Sequence, residues 1–143
     1  MARLKLGIQF DGFDQALKQL EAMNRGIKQP VEIALKQSHQ IVVQSAEQAI
    51  TASPYDFNRT GTTKGSLRES PEIEWDGTNA ICPVGFDISH GGLPSIFLMY
   101  GTPRITPDRK LYNSIFGKSV RNKVSEAQAR IFREYIQEAR KHG

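Results

Sequence analysis

The sequence has a single cysteine, Cys82, and no long apolar run. One cysteine excludes an intramolecular disulfide, and no apolar run approaches the roughly 18 residues of a candidate transmembrane helix. The first residues, Met1 to Leu6, lack the apolar core of a signal peptide. We therefore expect a chain that is made and kept in a cytoplasm-like compartment, with Cys82 as a buried, inert thiol.

Metal-binding and catalytic patterns are also missing. His39, His90 and His142 are far apart and lack the spacing of metal ligands. His90 follows Asp87 and Ser89 closely, but the members of a catalytic triad are usually brought together by the fold rather than by sequence. No Gly-x-Ser-x-Gly motif is present to position a nucleophile. We therefore predict that the chain is not an enzyme and uses no metal or cofactor.

The length and charge fit one small, basic domain. The chain has 143 residues and a formal net charge of +4, which fits the usual size of about 100–200 residues per domain. The excess of Lys and Arg over Asp and Glu is explained most simply as an aid to solubility, and it is also compatible with attraction to nucleic acid.

The hydrophobic periodicity predicts an α+β fold, with a small, mostly antiparallel sheet packed against two long helices. The second helical region carries a stripe of small and apolar residues on which another helix or the sheet can pack. The predicted elements are a strand at 3–10, helices within 12–52, a loop at 53–71, a hairpin at 72–86, a loop at 87–95, a strand at 96–101 and a C-terminal helix at 117–141. For the apolar run Ile96 to Tyr100, a helical turn is the alternative to the strand.

The hairpin is predicted from its turn. Asp76-Gly77 lies between two strand-like runs, and Asp-Gly is a strong short-range hairpin signal. We expect Ile81, Val84 and Phe86 to face the core, and Pro83 to mark an edge or a bulge. The carboxylates of this region are interpreted as a solvated strand face.

The C-terminal helix is basic. A solvated amphipathic face explains its charges most simply, and a surface for an acidic or nucleic-acid partner is the alternative. The cations are Lys118, Arg121, Lys123, Arg130, Arg133, Arg140 and Lys141.

Short motifs between the helical regions resemble a known family. After a helix that ends at Ser53-Pro54, the candidate motif and assembly residues are Thr60, Gly61, Leu67, Arg68, Ser70, Tyr100, Gly101 and Thr102. Their order over roughly 3–135 resembles the small tail-completion or neck proteins of long-tailed lambdoid bacteriophages, the gene-product-ten family. That family has Ala-Pro, Thr-Gly-x-Leu-Arg-x-Ser and a later Glu-x-Gly-Thr. Here Ser53 replaces the alanine, extra residues precede Leu67, and Leu98 and Met99 lie near the position of the glutamate.

The resemblance implies a structural virion protein that completes the tail or joins it to the head. It implies a homo-oligomeric ring, expected to be hexameric, with neighbouring neck and tail proteins as partners. The basic charge adds the hypothesis of a non-specific contact with channel DNA. The resemblance also implies assembly in the host cytoplasm, no membrane contact and a final location in the virion. The alternative is a small basic nucleic-acid-binding or regulatory protein that uses the C-terminal helix.

Mechanical roles suit the motif residues. Gly61 and Gly101 fit tight backbone turns, and the hydroxyls of Thr60 and Thr102 can bind nearby amides. Arg68 either pairs locally with Glu69 or Glu72, or binds carboxylates or carbonyl groups between subunits through its planar guanidinium. Loops 55–66 and 87–95 are the predicted contacts with other subunits or with a neighbouring ring.

Overall fold

The structure is a computed structural model that describes residues 3–6, 8, 10–24, 26–52, 65–67, 70–76, 79–87, 92–104 and 106–142. Its elements are β1 (Arg3–Leu6), α1 (Phe13–Ala22), α2 (Lys28–Thr51), β2 (Glu74–Asp76), β3 (Asn79–Gly85), α3 (Leu93–Tyr100), α4 (Arg109–Phe116) and α5 (Lys118–His142). The predicted α+β class, a small antiparallel sheet against two long helices, is confirmed.

The sheet is antiparallel, in the order β1-β3-β2. The predicted hairpin is confirmed, since Trp75 pairs with Ala80 across β2 and β3. Alternate residues of a strand point to opposite faces, and Cys82, Val84 and Phe86 form the fully buried set. The expectation that Ile81 faces the core is therefore wrong, because Ile81 lies on the other face.

Pro83 lies on the central strand, yet it occupies a local edge. It pairs with Lys5 of β1, whereas β2 ends opposite Ile81 and does not extend alongside it. The missing N–H of a proline is tolerated at such a position.

Helices α2 and α5 pack antiparallel and form the centre of the fold. Their contact uses small side chains, including Ala34, Ser38, Ala46 and Ala127, which lets the helices approach closely. The side-chain amide of Gln128 donates to Ser38 Oγ at 3.0 Å, and the Tyr135 hydroxyl donates to Gln29 Oε1 at 3.4 Å. The expectation that another helix or the sheet can pack on the small-residue stripe of α2 is confirmed, since α2 contacts both α5 and β3.

Aromatic side chains attach the N-terminal part of the chain to α5. The rings of Phe10, Phe13 and Phe132 lie 5.3–5.5 Å apart between centroids. Helix α1 adds a buried Leu20 to this core. The predicted strand at 3–10 is shorter in the structure, because β1 ends at Leu6.

The predicted strand at 96–101 is wrong, because Leu93–Tyr100 is helix α3. An apolar run of this length does not distinguish a strand from a buried helix by periodicity. Pro94, in the first turn, favours a helix start, and both the backbone N–H and the hydroxyl of Ser95 donate to the Gly92 carbonyl. The predicted loop at 87–95 is correspondingly shorter, since α3 begins at Leu93.

Helix α4 was not predicted, whereas the C-terminal helix was. Asp108 caps α4, because its Oδ1 accepts from the Leu111 backbone N–H at 3.1 Å. Gly117 alone separates α4 from α5, whose bounds agree with the predicted 117–141 within a residue.

Candidate interaction surface

One of the eight motif residues, Leu67, lies at a junction between the sheet and the start of α3. Leu67 is buried and forms an antiparallel bridge with Phe86, and the Ser66 carbonyl accepts from the Asp87 N–H at 2.8 Å. Ser70 is exposed. Thr60, Gly61 and Arg68 lie outside the described residues, as does most of the predicted loop at 53–71, so their roles stay predictions.

The same junction fixes the start of α3. The Gly92 N–H donates to the Asp87 carbonyl at 2.9 Å. A Cβ at Gly92 would lie 2.6 Å from that carbonyl oxygen and 2.9 Å from Ser66 Oγ, so only glycine fits without a backbone shift. The segment that holds Leu67 therefore positions α3 directly.

Three further motif residues lie at the end of α3, namely Tyr100, Gly101 and Thr102. Gly101 has φ 79° and ψ 171°, a region that is essentially restricted to glycine. The Thr102 hydroxyl accepts from the Arg104 N–H at 3.2 Å. The expected tight turn at Gly101 and the expected hydroxyl contact of Thr102 are both confirmed. This turn leaves Tyr100 on the surface, 53% exposed.

An aromatic surface connects α3 and α4. We use this name for Phe97, Tyr100, Tyr112 and Phe116. Tyr100 and Tyr112 pack edge to face with ring centroids 5.7 Å apart, and Tyr112 and Phe116 follow at 5.0 Å. Phe97 and Tyr100 are three residues apart and share a helix face. Three of the four large hydrophobic side chains that are exposed among the described residues belong to this surface.

Comparison of the chain with models of known protein families, with curated proteins and with solved structures found no match. The resemblance to tail-completion proteins is therefore a hypothesis about this chain.

Positive charge is concentrated beside the aromatic surface. Residues 104–123 contain six Lys or Arg and one Asp, a net charge of +5, so the rest of the chain sums to −1. All six cations are exposed. We call these cations together with the aromatic surface the basic end; they are Arg104, Arg109, Lys110, Lys118, Arg121 and Lys123.

Negative charge is concentrated in the preceding stretch. Residues 69–103 contain five Asp or Glu and no Lys or Arg. Glu72, Glu74 and Asp76 are exposed on and before β2, which is an edge strand. We call these three carboxylates, with the adjoining side of α2, the acidic end.

A shallow hollow lies on that side of α2. It has a volume of about 410 Å³ and is lined by Ile33 and Pro71 together with Lys36, Gln37, His39 and Gln40. Ile33 is the one exposed large hydrophobic residue in the described chain that lies outside the aromatic surface, at 43% exposure. Ile33 and Pro71 thus give the acidic end an apolar recess, which Lys36 borders.

The two ends lie far apart along α2. Trp75 Nε1 donates to Glu32 Oε1 at 2.8 Å, which places β2 near the start of α2. The Ser38–Gln128 and Gln29–Tyr135 hydrogen bonds set the antiparallel register, which puts Lys118 roughly level with Glu47 near the other end of α2. Glu32 and Glu47 are about 15 residues apart, or roughly 22 Å along a helix.

The described residues offer little for catalysis. No group of three His, Cys, Asp or Glu side chains among them is arranged to hold a metal ion. Cys82 is fully buried, as predicted, and burial raises the pKa of its thiol, which disfavours the reactive thiolate. No helix in the described part of the chain is both long and apolar enough to cross a membrane.

Sequence patterns identified one part of this surface and missed another. The predicted Tyr100, Gly101 and Thr102 lie on it, whereas Tyr112 and Phe116 were missed with α4. Counting charges in windows along the chain would have revealed the opposite signs of 69–103 and 104–123. Their separation in space depends on the fold.

Proposed function

We propose that this chain is a structural protein of a tailed bacteriophage virion, which completes the tail or joins head and tail as a ring in the neck. The observation that carries the proposal is the separation of a basic, aromatic end from an acidic end on one subunit. Surfaces that differ and complement each other suit heterologous contacts, which generate rings when the rotation closes.

The order of the motifs supports the same assignment. Leu67 and its neighbours anchor the described end of loop 53–71 to the sheet, and Gly101 and Thr102 shape the turn that presents Tyr100. In this proposal Thr60, Gly61, Arg68 and Ser70 belong to a loop that contacts a neighbouring subunit or ring. The chain has no catalytic role and needs no cofactor or membrane. Its partners are further copies of itself and adjoining neck or tail proteins.

Complementation of defective particles tests this function. Virions assembled without the chain would be mixed with the purified protein, and incorporation and infectious titre would be measured. The proposal expects the protein to enter the particles and restore titre. Protein that stays outside the particles at every concentration would contradict it.

The basic end favours a second candidate, non-specific binding of nucleic acid. Exposed tyrosines beside lysines and arginines suit base stacking together with phosphate contacts. Binding of the isolated protein to arbitrary DNA, measured against salt concentration, tests this function. Affinity should fall steeply with salt if several phosphates are neutralised.

A further inference from the structure

We propose that the basic end of one copy binds the acidic end of the next copy, so that subunits associate head to tail. The inference rests on the self-association in the proposed function and identifies the two surfaces that meet. The partner is thus a second copy of this chain.

Charge complementarity is the first argument. Residues 104–123 of the basic end have a net charge of +5, and the acidic end presents the three exposed carboxylates of Glu72, Glu74 and Asp76. Such a match favours encounter and suppresses the like-with-like contacts of a symmetric dimer. Two basic ends, or two acidic ends, would repel each other.

Geometry is the second argument. The acidic end lies near Glu32 of α2, whereas Lys118 of the basic end is roughly level with Glu47. These two levels are roughly 22 Å apart along the helix, so Lys118 is too far from the acidic end to neutralise it within one subunit. A neighbouring copy can bring them together.

Helix electrostatics is the third argument. Arg109 and Lys110 lie in the first turn of α4, beside the capping carboxylate of Asp108, and Lys118 and Arg121 lie in the first turn of α5, which has no acidic residue. Cations at a helix N-terminus oppose the helix dipole. The dipole therefore disfavours the two cations of α5, and all four cations add to a positive field that attracts carboxylates.

Apolar contacts complete the interface. Tyr100 is the most exposed large hydrophobic residue in the described chain, and the hollow beside Ile33 and Pro71 offers the acidic end an apolar recess. Interface energies are usually dominated by a few aromatic anchors surrounded by polar groups. We assign Tyr100 as the anchor that enters this hollow on the next copy.

Reciprocal charge reversal tests the proposal. R109E/K110E makes the basic end acidic, and E74K/D76K makes the acidic end basic. The molar mass of each full-length variant would be measured by light scattering over a wide concentration range, alone and in a 1:1 mixture. K18E/R133E is a matched control for R109E/K110E, because it causes the same charge change at exposed positions on α1 and α5.

We expect each variant alone to lose self-association and the 1:1 mixture of the two variants to recover it. Each variant alone should need at least about tenfold more protein to associate, equivalent to a tenfold weaker Kd. The mixture should recover the wild-type mass, since each reversed end now complements the reversed end of the other variant. K18E/R133E should behave as the wild type, and Y100A should weaken association without a change in charge.

Other outcomes would distinguish a failure of the proposed contact surfaces from a failure of the proposed ring function. Wild-type self-association that both reversals leave intact would overturn these surfaces and leave the ring function standing. A wild type that stays monomeric at every concentration and also fails to enter particles that lack it would overturn both. A monomer whose binding to a DNA oligonucleotide is lost in R109E/K110E would identify nucleic acid as the occupant of the basic end.

Discussion

The Gln128 amide nitrogen donates to Ser38 Oγ at 3.0 Å inside the contact between α5 and α2. Both side chains are almost fully buried, and the Ser38 hydroxyl in turn donates to the Ala34 carbonyl at 2.7 Å. This pair joins residues 90 positions apart and sets the register of the two long helices. That register holds the basic end and the acidic end apart.

Removal of the serine hydroxyl should destabilise the fold. Ser38→Ala deprives the buried Gln128 amide of an acceptor, at a cost of about 1–3 kcal/mol in the free energy of unfolding. Urea denaturation measures the change. Gln128→Met in the Ser38→Ala background should recover part of the loss, because the amide is then removed as well. An unchanged midpoint for Ser38→Ala would show that the hydrogen bond contributes nothing.

The turn after α3 should require glycine. Gly101→Ala places a Cβ on a backbone at φ 79° and ψ 171°, which costs about 1–3 kcal/mol. Gly26→Ala is a suitable control, since a Cβ there meets nothing within 4 Å. Thermal unfolding should show a lower Tm for Gly101→Ala and little change for Gly26→Ala. Equal Tm values for the two variants would argue against this turn.

Cys82 should make stability depend on alkaline pH. Burial raises the pKa of its thiol, the Glu72 carboxylate adds to this, and a hydrogen bond with the Glu72 backbone partly offsets it. Above about pH 8.5, the ordinary pKa of a thiol, the unfolded chain loses a proton that the folded chain keeps. The unfolded state then binds fewer protons, so the free energy of unfolding falls as pH rises.

Cys82→Ala serves as the reference for that measurement. Its free energy of unfolding should decline less steeply than the wild type's between neutral pH and the raised thiol pKa. The folded wild type should also react with a thiol reagent far more slowly than the unfolded chain. Identical pH profiles for the two proteins, or rapid labelling of the folded chain, would contradict a buried neutral thiol.

Charge reversal at the basic end should leave the subunit folded. R109E/K110E replaces cations at the N-terminus of α4 with carboxylates, which interact favourably with the helix dipole by about 0.3–1 kcal/mol each. Urea denaturation should therefore give a free energy of unfolding equal to or above that of the wild type. A large decrease would show that Arg109 and Lys110 support the fold itself.

The sequence predicted those elements whose local signals agree with their packing. Asp76-Gly77 indicated the hairpin, and the long amphipathic period indicated α5 almost to the residue. Helix α3 was misassigned because its apolar run, Ile96 to Tyr100, lacks a polar face. Helix α4 was overlooked although Asp108 provides an N-cap signal, since eight residues span only about two turns.

The candidate surface was harder to predict than the elements. The motif predicted from the sequence includes Tyr100, Gly101 and Thr102. The structure adds the exposure of Tyr100 and the strained backbone of Gly101. The pairing of Tyr100 with Tyr112 depends on how α3 packs on α4. Equally, the separation of Glu32 and Lys118 follows from the antiparallel packing of α2 and α5, which no local pattern specifies.

The molar mass of the wild-type protein tests the central claim, self-assembly into a virion ring, most directly. Light scattering would be recorded across concentration, first for the protein alone and then with particles that lack it. The account predicts a closed oligomer whose fraction increases with protein concentration, or protein that moves from the monomer peak into the particles. A strict monomer that ignores the particles and binds DNA would contradict the account and favour nucleic-acid binding.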